Sequence, residues 1–169
     1  MRPRQHRQSG AVTIEFALTY VGLILPVTFA IIFTAELLWV WHSAIEWTRE
    51  GARYAATHCW QSDASNVSGY MRNNVPLNID QAQFAGGPAE IAISYYAKDP
   101  SSGAYVDFTC SGDCSVTCVP DLVIVTVSGY QFTKFLNYLG LNPIPLPDFT
   151  TTLPVEGAGC NPEDLSCSP

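Results

Sequence analysis

Residues 16–35, twenty in a row, carry no charged side chain. As a helix rising about 1.5 Å per residue they reach about 30 Å, the thickness of a bilayer's hydrocarbon core. A helix that is apolar all round needs lipid or a large protein core around it. One acid, Glu15, stands just ahead of the run, and a short basic leader (MRPRQHRQSG, with Arg2, Arg4 and Arg7) ends at Ser9-Gly10. The chain therefore reads as three parts. Residues 1–10 are a basic leader. Residues 11–60 are a long N-terminal helix, membrane-spanning over 14–41 and continuing as an amphipathic helix to about 58. Residues 61–169 are a small head domain.

Charge sets the orientation. Arg2, Arg4 and Arg7 flank the apolar run on its N-terminal side, and Lys/Arg stay on the cytoplasmic side. The expected topology is a single pass through a membrane, N-terminus cytoplasmic, with the head on the far side. The net charge is −7, from 8 Lys/Arg against 15 Asp/Glu. A chain so poor in clustered cations is a bad match for nucleic acid. Six cysteines suit the same placement, since an even number in an oxidising compartment implies disulfides. Cys160 and Cys167 form a plausible local bridge. Cys59 joined to Cys110, Cys114 or Cys118 would tie the end of the helix to the sheet. Sequence alone does not choose among the pairings.

Beyond Glu36, Leu37, Trp41, Ala44, Thr48, Ala52 and Ala55 recur at spacings of three and four, and Glu46, Arg49, Glu50 and Arg53 fall on another face. Trp39, Trp41 and Trp47 resemble the tryptophans found where a helix leaves a bilayer. Gly22 and Pro26 predict a disturbance within the apolar half. A short second helix is expected over residues 63–74 with Asp63 as its N-cap. Strands follow at 89–97, 104–109, 122–127 and 150–155, the third the most apolar and central, the last at an edge because of Pro154. Residues 140–147 read as a Pro-rich connection and the tail from Gly157 as loop. Tyr95, Tyr96, Tyr105, Phe108, Tyr130, Phe132 and Phe135 read as core. The fold class is α+β: the long transmembrane and amphipathic helix, then a small antiparallel-sheet head domain with disulfides.

No catalytic constellation stands out. His6, His42 and His58 lack the Ser/Asp context of a triad. The spacing of Cys110, Cys114 and Cys118 differs from the tight pairs of zinc sites, so no metal site is assigned. Asn66-Val67-Ser68 fits a glycosylation pattern that three residues often match by chance. The chain is read as no enzyme, without cofactor or evident small-molecule substrate. Thr28-Phe29-Ala30 is a tolerable signal-peptidase site, but the apolar run continues well past it.

The Gly10/Ala11 junction, Glu15 at the fifth position after it and the run Gly10-Ala11-Val12-Thr13-Ile14-Glu15-Phe16-Ala17-Leu18 resemble the N-terminus of type IV pilins and pseudopilins. With Pro26 inside the run and Arg49-Glu50-Gly51-Ala52-Arg53-Tyr54-Ala55-Ala56 at the end of the helix, the chain most resembles the TadE-like minor pseudopilins of the Tad (tight adherence, Flp-type) pilus system. The resemblance implies cleavage between Gly10 and Ala11 by a prepilin peptidase. It implies pairing of Glu15, beside Phe16, with a neighbouring subunit's new amino terminus, and helix packing around Pro26 and Gly51. Its expected partners are the inner membrane, the peptidase and other pilin-like or pilus-assembly proteins. Major pilins of that system are much shorter and tend to carry Tyr where this chain has Phe16, which points to a minor subunit. The alternative is a single-pass anchored binding module that never enters a filament.

Overall fold

The computed structural model describes residues 9–112, 114–155, 157–161, 163 and 166–167. Most of the expected leader, residues 1–8, lies outside these; Ser9 and Gly10 are already helical. Two compact units are present, Met1–Trp39 and Val40–Pro169.

The first unit is helical throughout its described length. Helix α1 (Ser9–Thr19) is followed by a π-helical turn at Tyr20–Ile24, and then by α2 (Leu25–Thr57), which begins in this unit. The wide turn has a local cause. Pro26 lacks an N–H, and its ring crowds the carbonyl four residues back, that of Gly22. Widening the turn relieves that crowding, and the Leu25 N–H bonds the Tyr20 carbonyl instead.

The second unit, the head, starts at Val40, whereas the sequence reading begins it at 61. The later part of α2 belongs to the head because its side chains form the core. Val40, Ala44, Trp47, Thr48, Gly51, Ala52 and Ala55 are buried. The amphipathic stripe thus holds at Ala44, Thr48, Ala52 and Ala55 and also takes in Val40, Trp47 and Gly51, whereas Leu37 and Trp41 are not buried, and Trp47 is a core residue rather than a bilayer-exit tryptophan. Trp47 is 2% exposed, meets Phe84 edge-to-face at 5.1 Å, and donates from Nε1 to the Met71 carbonyl. On the outer face Arg49 pairs with Glu46 at 2.6 Å. Glu50 accepts a hydrogen bond from the Tyr70 hydroxyl.

Helix α3 (Ser65–Asn73) confirms the short second helix with one change. Its N-cap is Ala64, in the left-handed region; Asp63 accepts from the Ser65 N–H one position early. Gly51 lets α3 approach α2, since a Cβ there would collide with the Met71 side chain.

A four-stranded antiparallel sheet has the order β2-β1-β3-β6. Its strands are β1 (Glu90–Lys98), β2 (Tyr105–Asp107), β3 (Leu122–Ser128) and β6 (Phe149–Pro154). The apolar β3 is internal and β6, with its Pro154, is an edge, as the sequence predicts. Alternation gives the sheet one inward face: Ile91, Val123, Val125, Val127 and Phe149 are buried, while Thr126 and Thr150 meet on the outer face at 3.2 Å. Helix α2 runs alongside β6 in the same direction. Trp41 meets Phe149 edge-to-face at 5.3 Å. Seven residues on along α2 and two along β6, the Thr151 hydroxyl donates to Thr48 Oγ1 at 3.2 Å, and Thr48 donates to the Ile45 carbonyl.

Two stretches read as loop contain short strands. Between β3 and β6 lie β4 (Gln131–Phe132), the one-turn helix α4 (Leu136–Leu139) and β5 (Ile144–Pro145), with β4 and β5 paired. A side chain holds them: buried Gln83 donates from Nε2 to the Gln131 carbonyl and accepts from its N–H, as a neighbouring strand would. Gly129 makes the turn out of β3 at φ +68°, where any Cβ would strike the Pro88 carbonyl. In the tail, β7 (Cys160–Asn161) pairs with β8 (Ser166–Cys167), a ribbon too short to hold without the Cys160–Cys167 bond.

Candidate anchoring and assembly site

The apolar helix is the feature of this chain with the clearest chemistry. Val12–Thr57 contains a window long and apolar enough to cross a membrane, and no residue of that window is buried. Phe16, Leu18, Val21 and Phe29 are each more than half exposed. Length and composition support a single-pass anchor; the same test is also passed by signal sequences.

The polar atoms inside the run are largely satisfied within the helix. The hydroxyls of Thr19, Thr28 and Thr34 donate to the carbonyls of Glu15, Ile24 and Ala30, four residues back. That suits a helix surrounded by hydrocarbon, where each unpaired polar group costs several kcal/mol. Glu15 is different. It is exposed, and it is the sole charged side chain of residues 11–35. Phe16 beside it stacks on Tyr20 at 6.4 Å. Gly10 is exposed and helical, so the Gly10/Ala11 junction lies in α1 one turn before Glu15. Pro26 follows the π-turn in this unit, while Gly51 is buried in the head against Met71.

The cysteines pair as Cys59–Cys114, Cys110–Cys118 and Cys160–Cys167, and none is free. Cys59 ties the end of α2 to the segment before β3, as the sequence allowed. The Sγ atoms of Cys59, Cys160 and Cys167 lie within 4.8 Å of one another. They belong to disulfides, and a metal needs thiolates, so this cluster is a staple. His58 stacks on Tyr54 at 3.7 Å and lies beside the helix terminus. Asn66 donates its amide to the Cys59 carbonyl at 2.7 Å, which occupies the nitrogen a glycan would need.

The aromatic residues divide. Tyr130 and Phe132 are buried as expected, but Tyr105, on the exposed strand β2, and Phe135 are about half exposed. Neither periodicity nor composition distinguishes the two groups. Trp60 packs edge-to-face on Phe108 and Tyr95. The Tyr95 hydroxyl is buried with no hydrogen-bond partner among the described residues, and burial pushes its phenol up to about 12. A group with a raised folded-state pKa stabilises the fold fully below its unfolded value, about 10, and that contribution is lost as pH rises toward the folded value. Head stability is therefore expected to fall from about pH 10 upward. Tyr95→Phe should flatten this decline in denaturation curves taken across that range; an unchanged decline would show that Tyr95 does not cause it.

No protein-family profile, curated protein or solved structure matches this chain.

Proposed function

We propose that this protein is a membrane-anchored minor pseudopilin of a Tad/Flp-type pilus, a non-enzymatic subunit processed by a prepilin peptidase and packed through its N-terminal helix against other pilin-like subunits. The observation that carries the reading is the Glu15 carboxylate, without a partner among the described residues, at the start of an apolar helix whose membrane-length window has no buried residue, five residues after the Gly10/Ala11 junction. A charge in hydrocarbon costs at least about 2.5 kcal/mol at the bilayer centre unless it is paired. Cleavage after Gly10 creates the partner it needs, an α-amino group on a neighbouring subunit. Such a pair offsets desolvation and fixes the register of adjacent helices. The head, stapled by disulfides, is then displayed outside the cytoplasm.

Two measurements test this. Sequencing the mature N-terminus should give Ala11; an intact Met1 would leave a simple anchor, and a start at Ile31 an ordinary signal peptide. Glu15→Ala should leave processing intact and abolish incorporation into filaments, while Glu15→Asp retains part of it. Normal incorporation of Glu15→Ala would sink the pairing role.

A further inference from the structure

The two ends of the head differ in chemistry. The chain enters the head at Val40, which is buried, and Trp41 meets Phe149 at the start of β6. Since β6 is antiparallel to β3, and β3 to β1, the entry end also holds the end of β3 and the start of β1. The opposite end holds the β1–β2 turn, the end of α2 and the segment before β3, which Cys59–Cys114 joins.

The whole connection between β3 and β6, residues 129–148, leaves and returns at the entry end. Residues 135–147 within it carry no charged side chain. Its root is packed, with Phe132, Leu136 and Leu146 buried. Its tip is not: Tyr138 is 93% exposed, Leu139 69% and Leu141 55%. Phe135 takes a left-handed backbone at φ +62°, costly for a bulky residue, and its ring remains nearly half exposed. Leu77 stands out fully at the same end, because the Asn78 beside it donates to Ser43 Oγ at 2.8 Å, two residues after Trp41. Exposed Tyr, Phe and Leu on an uncharged loop, beside the point where a membrane-length helix joins, are the residues of a bilayer interface.

We propose that the Phe135–Leu141 loop, with Leu77, is a lipid-contacting surface that rests the head on the bilayer in which its own helix is anchored. This deepens the anchoring reading above and rests on it. Contact through two separate apolar points, in addition to the helix, would fix the tilt of the head before assembly. Leaving the membrane to join a filament would then require those side chains to be pulled free.

The test uses the full chain in phosphatidylcholine nanodiscs, a zwitterionic bilayer that does not repel Glu90 and Asp148 at the same end. The photo-crosslinker benzoylphenylalanine replaces Tyr138, Leu141, Phe29 or Ser102, one at a time, and adducts are read by mass. All four positions are exposed, so the substitutions leave the packing of the head alone. Lipid adducts at 29, 138 and 141 with none at 102 are the expected result. An adduct at 29 but none at 138 and 141 overturns the lipid contact and leaves the anchor standing. Absence of lipid adducts at all positions overturns both. A protein–protein adduct at 138 in place of lipid overturns the proposal in favour of a second copy on this surface.

Discussion

Replacing Cys59 and Cys114 together by serine is expected to cost the head about 4 kcal/mol, the largest loss from removing any of its three disulfides. The bond spans 55 residues of sequence, against 7 for Cys160–Cys167 and 8 for Cys110–Cys118. Chain entropy released on opening a loop grows with the logarithm of its length, so either short bridge should cost only about 2–2.5 kcal/mol. The bond also holds α2 against the sheet where no strand pairing does so, and Cys59 is 1% exposed, so its replacement by a hydroxyl adds a desolvation term. Both cysteines must change together. Cys114→Ser alone leaves a Cys59 thiol within 4.8 Å of the Cys160 and Cys167 sulfurs, where exchange would form a different bridge. Denaturant titration of the three double mutants in detergent gives the ranking. Equal losses for the long and short bridges would show that the entropic account fails here.

Trp47→Ala is expected to cost about 3–5 kcal/mol, as for a fully buried large side chain. The indole fills the space between α2, α3 and the short 3₁₀ turn at Gln81–Phe84, and its Nε1 bonds the Met71 carbonyl at 3.2 Å. Trp47→Phe separates the terms, since it keeps most of the volume and loses the hydrogen bond, an expected loss nearer 1 kcal/mol plus a small cavity term. Trp39, 58% exposed, provides the contrast: its replacement by alanine should change head stability by less than about 0.5 kcal/mol. Comparable losses at 39 and 47 would contradict the burial of Trp47 and favour the sequence expectation that both mark the bilayer exit.

That pair of tryptophans shows where reading the chain stops. Eight residues apart on one helix, both read as tryptophans at a bilayer exit, although the charged Glu46, Arg49 and Glu50 flank only Trp47. The difference is that α3 and Phe84 come back over Trp47, a contact between segments more than twenty residues apart. Gln83 is a sharper case. A glutamine in a short 3₁₀ turn has no sequence signature, yet it completes the hydrogen bonding of Gln131 from 48 residues away. Phe135 looks like core by composition, and only the direction of the β3–β6 connection leaves its ring nearly half exposed.

The sequence by itself determined the features that depend on neighbours along the chain. These are the length and uncharged character of the apolar run, the single acid at its head, the helical stripe beyond Glu36, and strands bounded by turns. A 20-residue apolar helix and an alternating strand are readable because their periods are local properties of the backbone. Tertiary structure alone decided which of Cys110, Cys114 and Cys118 meets Cys59, that the buried stripe takes in Val40, Trp47 and Gly51, and that the exposed apolar loop lies at the end where the chain enters the head. Those outcomes require distant segments to close on one another. Closing them costs entropy whose return depends on three-dimensional packing, and no local pattern records it.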